Sequence, residues 1–284
     1  MPAQSLDVRP VIVIGAGGDG IGTAIARGLL RIGTPVIAVD LEIARLNVLT
    51  KEMGEGAATL QTEIADATDA ESVDALFQRI EEEHPELGGL VNVVGGLPAD
   101  RFRSLVEDDD ENLDALLDTN LRAAVRTSRA FARARLGQFG SASQTSPTCS
   151  IVQVATIAAL EGMPFGAGYA ASKAALLSYT RTMALEWGSL GIRVNALAPG
   201  SIRVPKNDQY HDPDRDARVL PLGRRGTPDD VAGGALFLLS QAASWITGQV
   251  LAVDGGASVK PSYLDDEGLP VFVQDPALRS RLLK

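Results

Sequence analysis

The strongest constraint on the fold is a short apolar run near the N-terminus, followed by a glycine-rich loop and a helical pattern. Residues 11–14 read Val-Ile-Val-Ile, and residues 15–22 read Gly-Ala-Gly-Gly-Asp-Gly-Ile-Gly. Apolar residues then recur at helical spacing, at Ile21, Ala24, Ile25, Leu29 and Ile32. Glycines let the backbone approach a pyrophosphate, and the free amides and dipole of a helix start favour that anion. This order predicts a dinucleotide-binding unit, with a glycine-rich turn that binds nothing as the alternative.

The next strand suggests which dinucleotide is bound. An apolar run from Pro35 to Val39 ends at Asp40, eighteen residues after Gly22. A carboxylate at this distance binds the adenosine ribose hydroxyls and repels a 2′-phosphate. Leu41 and Glu42 follow and offer no arginine to receive such a phosphate. We therefore predict NAD, with NADP the less favoured cofactor; the alternative is an aspartate that caps the following helix.

Strand and helix patterns alternate along the rest of the chain. A third strand ends near Ile64, and a helix from about Ala70 to Glu83 carries one apolar face. Further predicted elements are strands at Leu90–Val94, Ile151–Val154, Ile192–Leu197 and Gln249–Val253 and a helix at Pro228–Gln241. Such alternation predicts a parallel sheet with helices on both faces and ligands at the carboxyl ends of the strands. The stretch Gly137–Ser150 is rich in Gly, Ser and Thr and is expected to be a surface loop.

Composition excludes several classes of function. The net charge of −10 argues against a nucleic-acid partner. No apolar run approaches the ~20 residues that a membrane helix needs, and the N-terminus lacks a signal pattern. Cys149 is the only cysteine, which fits a reducing cytoplasm. With only His84 and His211 present, no metal-ligand cluster is expected.

Candidate proton-transfer residues lie between Ala155 and Lys173. Tyr169 and Lys173 are four residues apart in a helical pattern, so they share one face, and Thr156 follows a predicted strand. A nearby ammonium favours a phenolate, so Lys173 can bring the pKa of Tyr169 toward the working range. The hydroxyl of Thr156 can then hold the oxygen of an alcohol or ketone. The alternative is that Tyr169 and Lys173 are only helix neighbours.

Asn120 falls on the apolar stripe of the predicted helix that carries Leu113, Leu117 and Leu121. A buried amide needs hydrogen-bond partners. Asn120 is therefore either a satisfied core residue or a group that holds a water on a proton path, and the spacing leaves both open.

With these residues in view, the chain resembles the short-chain dehydrogenase/reductase family from about Val11 to Ala257. The resemblance implies an α/β fold: a single doubly wound Rossmann domain over residues 1–257, with seven parallel strands and helices on both faces. The matching stretches lie at residues 15–22, 40, 66, 90–95, 120–122, 169–173, 195–200, 221–232 and 246–256.

The resemblance also implies the site residues. The catalytic set is Asn120, Thr156, Tyr169 and Lys173, with Tyr169 as general acid/base, Lys173 on the nicotinamide ribose, Thr156 on the substrate oxygen and Asn120 on a relay water. The cofactor set is Gly15, Gly17, Gly18, Asp19, Gly20, Ile21, Asp40, Leu41, Asp66, Ala67, Asn92, Val93, Gly95, Tyr169, Lys173, Pro199, Gly200, Ile202 and Val204. Together these imply oxidation of a secondary alcohol, or reduction of a ketone, by an NAD-dependent enzyme that forms homodimers or homotetramers.

The chain departs from the family pattern at five points. Thr156 stands where the family has Ser, the glycine loop is one residue longer, Ile14 replaces a Thr, Val93 replaces an Asn, and Val204 replaces a Thr. The glycine loop, Val93 and Val204 keep open a dinucleotide-binding sensor or scaffold with little catalysis. A further alternative is an NADPH-dependent ketoreductase of the 3-oxoacyl type.

Two segments bear on substrate and assembly. The charged connection Ser201–Pro221 has the length of a lid and favours a small or polar substrate over a hydrophobic one. The tail, residues 258–284, is apolar enough that we expect it to dock on its own or a neighbouring subunit.

Overall fold

The computed structural model describes residues 9–54, 59–139, 148–205, 211–261, 269–270 and 273–282. Its strands form one parallel sheet of seven in the order β3-β2-β1-β4-β5-β6-β7. The strands are β1 (Val11–Ile14), β2 (Val36–Asp40), β3 (Leu60–Ile64), β4 (Gly89–Asn92), β5 (Cys149–Val154), β6 (Ile192–Pro199) and β7 (Val250–Val253). The prediction of a seven-stranded parallel α/β sheet is confirmed.

Helices connect these strands. They are α1 (Ile21–Arg31), α2 (Ile43–Met53), α3 (Ala70–Glu83), α4 (Asp110–Leu117), α5 (Ala123–Phe139), α6 (Ala167–Trp187), α7 (Pro213–Val219), α8 (Pro228–Leu239) and α9 (Pro276–Leu282). A π-helical turn, Asp118–Arg122, joins α4 to α5. In the described part of the chain, no helix is long and apolar enough to span a bilayer.

The core forms two layers because side chains alternate across each buried strand. In β1, Ile12 and Ile14 pack with α3, α5 and α6 on one face. Val11 and Val13 pack with α1, α2 and α8 on the other. Both faces of the central strands are therefore covered by helices, as the sequence pattern predicted.

The order of the strands determines where the ligand crevice lies. From β1 the order runs to β2 and β3 on one side and to β4 and the later strands on the other. Loops leaving the carboxyl ends of β1 and β4 therefore diverge and open a crevice between them. Gly15 begins one of these loops and Val93 the other.

The glycine loop is fixed to α1 by close contact. A Cβ built on Gly22 would lie 1.9 Å from the carbonyl oxygen of Gly15, so no larger residue fits. Thr23 is buried, and its hydroxyl donates to the carbonyl oxygen of Ala16 at 2.7 Å and to that of Gly18. The longer loop is thus tied down from within the first turn of α1.

Element boundaries differ from the predictions at a few places. Helix α5 continues to Phe139, so residues 137–139, which we expected in a loop, are helical. The rest of that predicted loop up to residue 147 lies outside the described residues, and β5 already begins at Cys149. Strand β4 ends at Asn92, and β6 extends to Pro199. The prediction placed the end of α5 too early because it relied on glycine content. A glycine such as Gly137 is tolerated near a helix terminus.

The described part of the tail is a short turn at Ala257–Val259 and helix α9. Lys260 donates to the carbonyl oxygen of Arg218 at 2.8 Å, and α9 has no buried residue. Division into a domain over 1–257 and a docked extension over 258–284 stays a prediction.

Candidate active site

A cleft of about 970 Å³ lies at the carboxyl ends of the strands. Its volume is at the upper end of the range for small-molecule and cofactor sites. It is lined by loops that follow six strands, β1 to β6. The predicted residues that line it are Gly15, Gly17, Gly18, Asp19, Gly20, Ile21, Asp40, Leu41, Asp66, Ala67, Val93, Gly95, Thr156, Tyr169, Lys173, Pro199, Gly200, Ile202 and Val204.

The loop after β1 presents backbone amides to this cleft. Gly15 and Gly18 have φ angles of 83° and 82°, which favour glycine. Gly20 precedes α1 and makes no side-chain cap, and no acidic side chain occupies the first turn. The first amides of α1 are therefore left for an anion, as binding of a pyrophosphate requires.

Asp40 is buried beside this loop. Its Oδ2 accepts a hydrogen bond from the amide of Gly17 at 2.9 Å, and its Oδ1 accepts one from the amide of Leu41 at 2.9 Å. Helix α2 begins after Glu42 and has no side-chain cap. Asp40 therefore does not cap α2; it holds the glycine loop and turns its carboxylate to the cleft wall.

Arg45 is a cleft residue that the sequence analysis missed. It lies in the first turn of α2, lines the cleft, and its Nη1 is 3.9 Å from Oδ1 of Asp40. Its side chain is 58% exposed. Leu41 and Glu42 follow Asp40 directly in the sequence, but the helix that begins at Ile43 brings Arg45 back to the strand end. The region that would meet a 2′-phosphate thus holds a cation as well as a carboxylate.

The three predicted proton-transfer residues meet in the same cleft. Thr156 follows β5 by two residues and caps a short turn, where its Oγ1 accepts from the amide of Ala158 at 3.3 Å. Tyr169 lies in the first turn of α6. Burial raises the pKa of the Tyr169 phenol, and a hydrogen bond with Thr156 partly opposes that rise. The phenol and the threonine hydroxyl are therefore direct neighbours.

Lys173 lies one turn further along α6 and is buried. Its Nζ donates to the carbonyl oxygen of Val154 at 3.0 Å. Burial lowers the pKa of Lys173 to about 8. The expected lowering of the Tyr169 pKa by Lys173 is not found, because the phenol's pKa is dominated by burial and Nζ is held by Val154.

Asn120 sits in the π-helical turn and lies behind the cleft. Its Oδ1 accepts from the amide of Gly96 at 2.7 Å, and its Nδ2 donates to the carbonyl oxygens of Gly96 and Leu116, each at 3.0 Å. A Cβ on Gly95 would lie 2.5 Å from this Oδ1 and 2.8 Å from Nζ of Lys173. The amide of Asn120 is thus hydrogen-bonded and shapes the loop, and its assignment to a relay water stays a prediction.

Asn92 also lies behind the cleft. Its Nδ2 is 3.0 Å from Oγ of Ser128 and 3.1 Å from Oε1 of Gln153, and its Oδ1 accepts from Thr127 at 2.7 Å. These contacts tie β4 to α5 and β5. Asn92 and Asn120 are the two predicted site residues that the structure does not place on the cleft wall.

The remaining wall comes from residues that carry no sequence signal of their own. They are Ile14, Gly22, Ala65, Thr68, Val94, Gly96, Thr119, Val154, Ala155 and Pro205. Most adjoin a predicted site residue in the chain, so extending the predicted set by one residue on either side would have found all of them but Val154. Within the described ranges, no group of three or more His, Cys, Asp or Glu side chains could hold a metal ion.

Comparison with known proteins decides the family. A family model described as enoyl-(acyl carrier protein) reductase matches residues 15–258. The galactitol 2-dehydrogenase (L-tagatose-forming) of Cereibacter sphaeroides is 35% identical over 89% of this chain and 96% of its own length. The chain belongs to the short-chain dehydrogenase/reductase family. It is therefore an NAD(P)-dependent oxidoreductase.

Other members of the short-chain dehydrogenase/reductase family show its breadth. A 3-oxoacyl-[acyl-carrier-protein] reductase of Thermotoga maritima is 31% identical over 88% of this chain and 98% of its own. Among solved structures, a variant of ElxO with NADPH bound is 25% identical, with a TM-score of 0.78, and the match covers 88% of this chain and 99% of that one. Relatives named for sugar alcohols and for acyl carriers do not agree on one substrate.

Replacing Thr156 tests its hydroxyl in this short-chain dehydrogenase/reductase. We expect Thr156→Ala to lower kcat by about 10²-fold, because a positioned donor to the substrate oxygen is lost. Thr156→Ser keeps the hydroxyl and should retain activity. Steady-state kinetics with one ketone and one nucleotide compares the three proteins. A fully active alanine variant, or a serine variant as slow as alanine, would contradict this role.

Removing the buried ammonium should stabilise the fold while impairing the site. A folded pKa of about 8, below the free value of 10.5, means that burial of charged Lys173 opposes folding below pH 8. This penalty amounts to about 3 kcal/mol, and loss of the bond to Val154 offsets about 1 kcal/mol. We expect Lys173→Met to raise the free energy of unfolding by about 2 kcal/mol at neutral pH.

Urea unfolding at two pH values checks this expectation. Wild-type stability should rise relative to Lys173→Met as pH climbs from 8 toward 10.5, because the unfolded chain then holds the extra proton. Lys51→Met, on the exposed face of α2, is the matched control and should change little. A methionine variant at position 173 that is less stable than wild type at neutral pH would show that the ammonium is not penalised.

Proposed function

We propose that this protein interconverts a secondary alcohol and a ketone with NAD(H), using Tyr169 as the general acid/base. The observation that carries the proposal is the convergence of Tyr169, Thr156 and Lys173 in the cleft that begins at the glycine loop. Tyr169 and Thr156 are within hydrogen-bonding reach of each other, so one substrate oxygen can contact both.

Each residue of the site has a role in the reaction that follows from its chemistry. The Thr156 hydroxyl donates to the substrate oxygen and holds it beside the phenol. Because burial raises its pKa, Tyr169 is protonated at neutral pH and can give its proton to the oxygen of a ketone. In the opposite direction, its phenolate takes the proton of an alcohol. When bound, the nicotinamide supplies the carbon that gives or accepts the hydride.

The cleft fits a dinucleotide. The open amides at the start of α1 suit its pyrophosphate, and Asp40 stands where the ribose hydroxyls of adenosine would lie. Asp66, which accepts from Thr68, lines the part of the wall proposed for adenine. Lys173 is charged in most molecules at neutral pH, since its pKa is about 8, and is proposed to hold the other ribose.

The buried carboxylate of Asp40 favours NAD over NADP. A second candidate, NADPH-dependent ketone reduction, is supported by Arg45, whose exposed guanidinium borders the same region. The carboxylate of Asp40 is buried against the amide of Gly17, where its charge is only partly screened by solvent, whereas the side chain of Arg45 is 58% exposed. For this reason NAD is the cofactor proposed first.

A nucleotide and substrate panel tests the proposal. Purified protein is incubated with NADH or NADPH and a range of ketones, and with NAD or NADP and the matching secondary alcohols, while absorbance of the reduced nicotinamide is followed. We expect turnover that depends on both nucleotide and substrate. Tight nucleotide binding with no turnover anywhere in the panel would instead support the sensor or scaffold.

We also propose a cytoplasmic homo-oligomer, dimer or tetramer. Leu185 and Trp245 are 85% and 99% exposed, which a subunit contact would relieve. Cys149 is buried and is the only cysteine of the chain, which suits a reducing compartment. Light scattering of the purified protein gives the subunit number directly.

A further inference from the structure

The loop that follows β3 is held by an arginine from a distant part of the chain. Arg126 lies in α5 and is half-buried. Its Nη1 donates to the carbonyl oxygen of Ala67 at 3.1 Å and to that of Thr68 at 2.7 Å. Ala67 and Thr68 both line the cleft, whereas Arg126 does not. Arg126 therefore contacts the wall of the cleft from behind.

These two carbonyl oxygens are the polar partners of Arg126. Among the described residues, its guanidinium makes no other hydrogen bond and has no carboxylate within ion-pair distance. Arg133, two turns further along α5, instead lies 4.0 Å from the carboxylate of Asp74. Hydrogen bonds from a charged donor are stronger than those between neutral groups. The charge of Arg126 thus serves to fix two successive peptide groups of the loop after β3.

The other backbone groups of this loop are paired within it. The amide of Asp66 donates to Oγ of Ser72 at 2.9 Å, and its carbonyl oxygen accepts from the amide of Asp69 at 3.1 Å. The amide and the hydroxyl of Thr68 donate to Oδ1 of Asp66 at 2.8 Å and 2.6 Å. With the two bonds from Arg126, every backbone donor and acceptor of residues 66–68 has a partner among the described residues, except one.

The exception is the amide of Ala67. Ala67 is 7% exposed and lines the cleft, yet its N–H donates no hydrogen bond to any described residue. Buried backbone donors are nearly always paired, so an open one on a cleft wall marks a place for an acceptor of the ligand. Oδ2 of the adjacent Asp66 likewise accepts no hydrogen bond within the described ranges. An open donor beside an open acceptor matches adenine, which has a ring nitrogen acceptor beside its amino donor.

We propose that Arg126 is a positioning residue for the adenine part of the nucleotide site. By holding the two peptide groups that follow the amide of Ala67, it keeps this donor and the carboxylate of Asp66 in register with the base. The inference rests on the proposed function, which places adenine at Asp66. Arg126 then governs nucleotide affinity and the choice of base, and it has no part in the proton transfer at Tyr169.

Calorimetric titration with NAD and with nicotinamide hypoxanthine dinucleotide tests this role. Hypoxanthine has an oxygen acceptor and a ring N–H donor where adenine has its amino donor and acceptor nitrogen. We expect wild type to bind NAD about 10²-fold more tightly, because the wrong base leaves buried groups unpaired. Arg126→Met should lower this ratio about tenfold, since the donor and acceptor are no longer held in register. Arg126→Lys keeps the charge without the planar guanidinium and should lower the ratio about threefold.

Two further readouts distinguish positioning from a general effect on the fold. Arg133→Met removes a side chain on the same helix that is 71% exposed and should leave the ratio unchanged. In Arg126→Met, the KM for NAD should rise about tenfold while kcat at saturating NAD stays close to wild type. Circular dichroism shows whether the methionine variant is folded; if it is not, the lysine variant carries the test.

The outcomes separate this inference from the proposed function. A base ratio equal to that of wild type in the folded Arg126 variants overturns the positioning role and leaves the oxidoreductase intact. Equal loss of affinity for both dinucleotides also overturns it, because Arg126 would then only support the fold. Wild type that binds both dinucleotides equally tightly overturns the position given to adenine, and the inference with it. Binding of neither dinucleotide by wild type would remove the proposed function itself.

Discussion

Tyr169→Phe is expected to lower kcat for ketone reduction by about 10³-fold, the typical contribution of a positioned general acid. Phenylalanine keeps the ring and removes only the hydroxyl that would give its proton to the substrate oxygen. The ring is half-buried in the first turn of α6, so the fold should survive the change. Stopped-flow and steady-state rates with one ketone and NADH provide the measurement.

The control for this variant lies on the same helix. Tyr179→Phe removes a phenol that is 46% exposed and lies outside the cleft, and it should leave the rate unchanged. Nucleotide binding, followed by protein fluorescence, should be nearly the same in both variants, because the phenol is assigned to the substrate oxygen. If Tyr169→Phe turned over ketone at close to the wild-type rate, the assignment of Tyr169 as general acid would be wrong.

Asp40→Asn should shift nucleotide preference toward NADPH by about 10²-fold, the second large effect expected here. A carboxylate next to a 2′-phosphate is a like-charge contact that costs several kcal/mol in a partly shielded site. Asparagine removes that charge but keeps a side-chain oxygen that can accept a hydrogen bond from the amide of Gly17. In the wild type, Asp40 accepts this bond at 2.9 Å. The ratio of dissociation constants for NADPH and NADH, by calorimetry, reports the shift.

Arg45 makes this test a double-mutant cycle. Once the carboxylate is gone, Arg45 is free to pair with the 2′-phosphate, so Asp40→Asn/Arg45→Ala should bind NADPH less tightly than Asp40→Asn alone. Asp66→Asn is the matched control, because a carboxylate proposed to meet adenine should affect both nucleotides alike. Wild type that already binds NADPH more tightly than NADH would contradict the role given to Asp40.

The sheet was predictable because its signals are local and repeated. The buried parts of the strands are rich in Val, Ile, Leu and Ala, and β1, β6 and β7 are followed directly by Gly15, Gly200 and Asp254. Helix α3 was predicted with its observed ends, Ala70 and Glu83, since Asp69 caps it through the amides of Glu71 and Ser72. Helix α5 lacked such a stop signal, and its end was misplaced.

The side-chain environment of the site could not be read in the same way. Spacing placed Tyr169 and Lys173 on one helix face, but only the fold shows that Nζ of Lys173 is held by Val154 and that burial controls the Tyr169 pKa. The positions of Asn120 and Arg45 could not be predicted from the sequence either, because one was expected in the site and the other was not. One is turned into the core by a π-helical turn, and the other is brought to the cleft by the first turn of α2.

Isotope transfer tests the central claim, hydride exchange between a carbinol carbon and nicotinamide beside Tyr169, most directly. The secondary alcohol that wild type oxidises best is prepared with deuterium on its carbinol carbon and incubated with NAD. We predict that the deuterium appears in the reduced nicotinamide, with a slower rate than for unlabelled alcohol and with almost no product from Tyr169→Phe. Deuterium that appears in water, or reduced nicotinamide that carries none, would contradict the account.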